Sequence, residues 1–128
     1  CETLCDFRLI ETSSVEGLKK NLDKSMIKGV TYEIVSSSIP VVMNEKDADI
    51  LAYKKIAETL LNKKIKFEYE GGATDAREFA ARGSTVIMHS GTGEGMHAAG
   101  EYVEVDSVEK LAEIQIRFLE KLALAKGK

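Results

Sequence analysis

At 128 residues the chain is about the size of one small domain, and 44% apolar with 30% charged residues is the balance of an ordinary folded protein, neither disordered nor fibrous. A formal charge of −3 argues against a nucleic-acid or anionic-membrane surface, which needs a clustered basic excess. No apolar run approaches the roughly 18 residues of a membrane span, and no signal-peptide pattern opens the chain.

The first element, Thr3 to Ile10 (TLCDFRLI), alternates loosely and carries β-prone residues, so a strand is expected. Cys1 and Cys5 lie four residues apart at its start. At about 3.3 Å of rise per residue they would stand ~13 Å apart, too far for a disulfide. They read as small, partly buried hydrophobes of a reduced cytoplasm. Because the chain opens at Cys1, without an initiator methionine and inside an established strand, it is expected to be part of a longer protein.

Ser13 or Ser14 caps a first helix with Val15, Leu18, Leu22 and Met26 on its inward stripe, ending near Gly29. Val30 to Val35 (VTYEIV) alternates again, completing a strand–helix–strand unit. Ser36 to Pro40, polar and holding the only proline, is the best domain boundary. A second helix follows from about Asp47 to Asn62, with Ile50, Tyr53, Ala57 and Leu60 inward. Ile65 to Tyr69 is a short strand stopped by Gly71-Gly72. A third helix spans about Thr74 to Arg82, and Gly83 ends it. Thr85 to Met88 (TVIM) is apolar enough for a strand covered on both faces. Tyr102 to Val105 is extended, and Asp106 or Ser107 caps a last helix with Leu111, Ile114, Phe118 and Leu122 inward. This rhythm predicts an α/β fold, a parallel or mixed sheet with covering helices.

Two stretches carry chemistry. In Ser90 to His97 (SGTGEGMH) three glycines alternate after a strand. A dinucleotide cradle needs G-x-G-x-x-G leading into a helix, and a P-loop ends in Gly-Lys-Ser/Thr. Here the spacing is G-x-G-x-G, Glu94 adds a negative charge, and no periodic helix follows at once, so nucleotide binding is disfavoured. Histidine is the commonest metal ligand, but a catalytic zinc needs about three protein ligands and the chain has two histidines, His89 and His97. Taken alone, His97 reads as an ordinary loop histidine. In the second stretch, Gly71 to Arg77 (GGATDAR), paired glycines let backbone approach a ligand closely. Thr74 and Asp75 sit at a helix start that favours an anion, and Arg77 can take a carboxylate in bidentate fashion. Read locally, Thr74 is only a cap and Asp75–Arg77 only a surface pair.

In combination and in this order, GGATDAREFAARG, a strand, and SGTGEGMHAAGEYVEVDSVEKLAEI resemble the C-terminal end of the M20 family of metal-dependent amidohydrolases, which includes desuccinylases, deacetylases, carboxypeptidase-like enzymes and aminoacylases. The resemblance covers nearly the whole chain and is strongest from Gly71 to Ile114. It implies that residues 1–39 are the latter half of a ferredoxin-like lid or dimerisation domain, contributing β-α-β. Residues 40–128 would be the C-terminal part of a zinc-exopeptidase-type catalytic domain, a mixed sheet with covering helices. His97 matches the last ligand of a two-zinc site, in which cobalt or manganese is also possible. Thr74, Asp75 and Arg77 match the motif bordering the substrate pocket, and Gly91, Gly93 and Gly95 the loop beside the scissile carbonyl. Glu101 matches the acidic residue after the ligand histidine.

The family's other ligands, including an His-x-Asp histidine and a bridging aspartate, and its catalytic glutamate belong to a region N-terminal to the lid. No catalytic residue is therefore assigned within this chain, which alone is expected to bind zinc weakly and to hydrolyse nothing. Desuccinylases tend to have Thr where this chain has Ala73 and Asn where it has Gly93, which leaves a deacetylase or dipeptidase as plausible. The resemblance implies a cytoplasmic hydrolase of N-acyl amino acids or small peptides, with no nucleic-acid or membrane partner. Open sheet edges imply a homo-oligomer, or association with the N-terminal portion. The alternative is a non-catalytic dimerisation or regulatory α/β module.

Overall fold

Two helices in this chain begin at a side chain, Ser14 or Asp47, that satisfies orphan backbone amides. The computed structural model describes residues 1–10, 12–38, 40–69 and 72–126. They fall into two compact units, Cys1–Met43 with Glu70–Val86, and Asn44–Tyr69 with Ile87–Lys128.

In the first unit, α1 (Val15–Ser25) starts at Ser14, whose hydroxyl accepts the Gly17 amide at 3.0 Å. Glu16 in the first turn and Lys24 in the last complement the helix dipole. The expected stripe of Val15, Leu18, Leu22 and Met26 is half-buried, while the helix stops at Ser25, short of Gly29. Gly29 instead serves the turn closed by the Val30 amide on the Ile27 carbonyl.

The short α3 (Ala76–Ala80) also lies in this unit. Its last turns close as a Schellman motif, with the Ser84 amide on the Phe79 carbonyl (3.1 Å) and the Gly83 amide on the Ala80 carbonyl (2.9 Å). Gly83 takes φ 80°, the stop that the sequence marks.

In the second unit, α2 (Ala48–Leu61) is capped by Asp47, whose Oδ1 accepts the amides of Asp49 (2.8 Å) and Ile50 (3.3 Å). It ends on left-handed Asn62. The last helix is α4 (Val105–Lys126). Helices α2 and α4 pack against each other through Tyr53, Ala57 and Ile114, with Ile56, Leu60, Leu61, Ile65, Ile87 and Phe118 around them. Ala57 and Ile114 are fully shielded from solvent. Tyr53 and Phe118 meet edge to face at 5.3 Å, a favoured aromatic geometry. All four residues expected inward on each of these helices are buried or half-buried.

The sheet differs from expectation. The segments 3–10, 30–35, 65–69 and 85–88, read as strands, have no ladder among the described residues; the sheet present there is β1 (Gly93–Glu94) antiparallel to β2 (Tyr102–Val103). Alternation in a sequence marks which face a strand would bury, but a strand also needs a neighbour for its amides and carbonyls. Those four segments are assigned no ladder among the described residues. Cys1 and Cys5 are consequently exposed free thiols, not partly buried ones. Helices with a two-stranded sheet agree with the α/β class expected. Among the described residues no helix is long and apolar enough to cross a membrane.

Candidate functional site

The glycine loop opens a two-stranded hairpin. Gly93 lies opposite Val103 and Glu94 opposite Tyr102. Any Cβ on Gly93 would run into the Tyr102 carbonyl oxygen, so the pairing requires glycine there. Gly95 turns the chain at φ 76°, packed on the Glu101 backbone. Two turn bonds follow, the Ala98 amide on the Gly95 carbonyl (2.8 Å) and the Glu101 amide on the Ala98 carbonyl (3.2 Å).

The hairpin is tied to the first turn of α4 through one hydroxyl. Ser107 Oγ accepts the Thr92 amide at 2.8 Å and donates to the Glu104 carbonyl at 2.6 Å. The Glu104 amide in turn donates to the Thr92 carbonyl at 2.8 Å. Gly91 leaves room for this knot: a Cβ there would stand 2.9 Å from Ser107 Oγ. At the tip His97 is exposed and left-handed (φ 62°), and its amide donates to Glu101 Oε2 at 3.3 Å. The structure thus brings Gly91, Gly93, Gly95 and His97 together on one hairpin.

Thr74, Asp75 and Arg77 cluster in the first unit, at the start of α3; Gly71 of the GGATDAR motif lies outside the described residues. The side chain that acts locally is Thr74, whose Oγ1 accepts the Ala76 amide at 3.2 Å. Asp75 holds the N-cap position with helical backbone and makes no side-chain cap bond. Its exposed carboxylate is therefore not committed to capping. Arg77 is half-buried, with Nε 3.6 Å from Glu78 Oε1 and shielded without a hydrogen bond.

The second unit holds a polar contact that the sequence reading missed. Tyr53 Oη and His89 Nδ1 are hydrogen-bonded at 2.9 Å, their rings edge to face at 5.8 Å. Burial holds the His89 pKa below its usual value, with the Lys63 charge adding to the effect. Burial also raises that of Tyr53. Both shifts favour neutral partners, so the contact fixes the residue that enters the hairpin without placing a charge in the core. Only the position of His89 at the end of an apolar run hinted at this, because the partners are 36 residues apart.

Among the described residues no three His, Cys, Asp or Glu side chains come together. A catalytic zinc needs about three protein ligands. The described residues therefore do not by themselves fit a metal centre, though His97 has the donor chemistry and exposure of a single ligand.

Comparison with known proteins places these motifs in context. The family model for peptidase family M20/M25/M40 matches residues 6–121. A succinyl-diaminopimelate desuccinylase of Aliarcobacter butzleri is 30% identical over 97 residues, which is 74% of this chain and 26% of that protein. An uncharacterized metallohydrolase of Methanocaldococcus jannaschii is 30% identical over 95 residues, 74% of this chain and 23% of that protein. The chain spans about a quarter of the length of these curated relatives. No solved structure gives a significant match.

Proposed function

The chain belongs to the peptidase family M20/M25/M40, and from that premise we propose that it forms part of a metal-dependent hydrolase of amide bonds in N-acyl amino acids or small peptides. The observation that carries this reading is that one family match, residues 6–121, takes in both the GGATDAR motif and the His97 hairpin.

In this reading His97 is one ligand of a two-metal centre, zinc in the first instance with cobalt or manganese as alternatives, completed by residues outside this chain. Such a centre supplies an activated water and polarises the scissile carbonyl. What this chain contributes is placement. The hairpin of Gly91, Gly93 and Gly95 sets backbone beside the carbonyl and presents the imidazole of His97. Thr74, Asp75 and Arg77 border the substrate, where a guanidinium matches the carboxylate of an N-acyl amino acid. No catalytic base is assigned in this chain, and alone it is proposed to bind zinc weakly and to be inactive.

Residues 1–39 are proposed as the latter half of a ferredoxin-like lid, and residues 40–128 as the end of a catalytic domain with a mixed sheet. The protein is proposed to work in the cytoplasm, as a homo-oligomer or in association with an N-terminal portion. The Aliarcobacter relative is named a succinyl-diaminopimelate desuccinylase. Ala73 and Gly93 replace the Thr and Asn typical of such enzymes, so a deacetylase or dipeptidase specificity stands beside it.

The test uses the product of the complete reading frame that contains this sequence. It is expected to hydrolyse members of an N-acyl amino acid and dipeptide panel in a metal-dependent way, and His97→Ala is expected to abolish that turnover. Undiminished hydrolysis in His97→Ala would remove His97 from the centre. Turnover by the purified 128-residue chain above its own His97→Ala control would refute the proposed inactivity.

A second reading, a non-catalytic dimerisation or regulatory module, is favoured by one observation. The alternating segments of the first unit expose Leu4, Ile10 and Val35, with Leu4 89% accessible. Such a surface suits pairing with another chain. An upstream frame that encodes neither an His-x-Asp motif nor a Glu-Glu pair would decide for the module.

A further inference from the structure

We propose that Glu101 is the positioning residue for His97, its carboxylate selecting the backbone conformation from which the imidazole is presented. The proposal rests on the reading of His97 as a metal ligand and adds to it the residue that holds the ligand in place.

His97 is at φ 62°, a region uncommon for residues other than glycine, although His is among those enriched there. Such a conformation persists only where its surroundings determine it. The neighbouring backbone fixes where Glu101 stands. The Ala98 and Glu101 amides close successive turns on the Gly95 and Ala98 carbonyls at 2.8 and 3.2 Å. Gly95 packs so closely that a Cβ on it would lie 3.2 Å from the Glu101 Cα. The next residue, Tyr102, is already paired with Glu94 in the ladder. Glu101 is thus anchored on both sides, and its Oε2 accepts the His97 amide at 3.3 Å.

The bond is a single exposed side-chain-to-amide contact. It engages the amide, which leaves the ring nitrogens of His97 uninvolved. The carboxylate can therefore hold the ligand's backbone without competing for a metal. Outer groups that orient a ligating histidine ordinarily act on the ring; here the hold is on the main chain.

The experiment is nuclear magnetic resonance on the isotopically labelled 128-residue chain and two variants. In the unsubstituted chain His97 should show the scalar coupling and the strong intraresidue amide-to-α Overhauser contact of a positive φ. Glu101→Gln, whose side-chain carbonyl still accepts, should retain that signature. Glu101→Ala should lose it, with His97 amide exchange faster by about fivefold, the scale of one ordinary hydrogen bond. Unchanged Ile114 methyl resonances would show that the α2–α4 core is intact in each variant. A signature that survives Glu101→Ala, or disappears equally in Glu101→Gln, overturns the proposal. Failure of the metal reading appears elsewhere, as hydrolysis by the complete gene product that is undiminished in His97→Ala. That result would leave the hold of Glu101 on the His97 backbone standing.

Discussion

The α2–α4 pair and the extended segments of residues 1–43 answer the same kind of sequence signal in opposite ways. On the helices the apolar stripes close on each other, and Ala57 and Ile114 are fully buried. In the extended segments Leu4 (89%), Val35 (75%) and Ile10 (66%) stay largely in solvent, while Leu9 and Ile34 are half-buried. A helix satisfies its backbone internally and needs a partner only for its side chains. A strand needs a neighbour for its backbone as well, and that neighbour is not local in sequence. Periodicity thus points to both kinds of element, yet only the helical kind can satisfy its backbone from within the segment.

The largest expected effect breaks the buried side of this contrast. Ile114→Ala removes a fully shielded side chain and leaves a cavity between α2 and α4. A loss of about 2–5 kcal/mol is expected in urea unfolding of the chain. A loss under about 0.5 kcal/mol, the scale of a surface substitution, would mean that the two helices are not packed in solution. The next effect concerns the one paired extended region among the described residues. Gly93→Ala drives a methyl into the Tyr102 carbonyl. An overpacking cost of about 1–3 kcal/mol is expected, with loss of the cross-strand contacts of Glu94 and Tyr102. Intact β1–β2 contacts in that variant would show that the hairpin has more slack than its geometry allows.

A smaller effect comes from the polar contact beside the core. Tyr53→Phe leaves His89 Nδ1 without its partner, at a cost of about 1 kcal/mol. The same pair sets a pH dependence. The folded-state pKa of His89 lies below its unfolded value near 6.5, so the unfolded chain takes up the proton first as pH falls. The contribution is complete above about pH 6.5 and is lost as pH drops from there through the folded pKa. Urea midpoints should therefore fall between pH 7.5 and pH 5.5, and His89→Gln should flatten that fall. Glu58, lowered chiefly by the Ile65 amide that its carboxylate accepts, acts in a separate window. Its contribution is present above its ordinary value of 4.5 and is lost as pH falls further. A midpoint that drops only below pH 4.5 would assign the acid sensitivity to Glu58.

These differences also mark what was legible beforehand. The stripes of α1, α2 and α4 could be read because residues three and four apart share a face. Ser14 and Gly83 could be read because caps are local chemistry, whereas Asp106 and Ser107, expected as caps, lie within the first turn of α4. Four expected strands show no ladder among the described residues, and alternation carries no information about which segment supplies the neighbour. The hairpin glycines were visible as a pattern, but their reasons lie in contacts with Tyr102 and Ser107, nine and sixteen positions away. For the proposed site, it was the resemblance carried by GGATDAR and SGTGEGMH together, not any local signal, that singled out His97, Thr74, Asp75 and Arg77. The acceptor of the His97 amide and the partner of His89 had to be seen in three dimensions.

The smallest expected effect tests the exposed side of the contrast. Leu4→Ser and Val35→Ser delete apolar groups that already face water, so each should change the stability of the chain by less than about 0.5 kcal/mol. The measurement belongs at two protein concentrations about a hundredfold apart. An edge strand that gains its neighbour from a second copy would give stability that rises with concentration. Substitution at Leu4 would then be costly at the higher concentration and nearly silent at the lower one. A neutral result at both would leave the segment without a neighbour in solution, its alternation a pattern still waiting for its other strand. A large, concentration-independent loss would instead place Leu4 in a folded core of this chain and remove the contrast between the two regions.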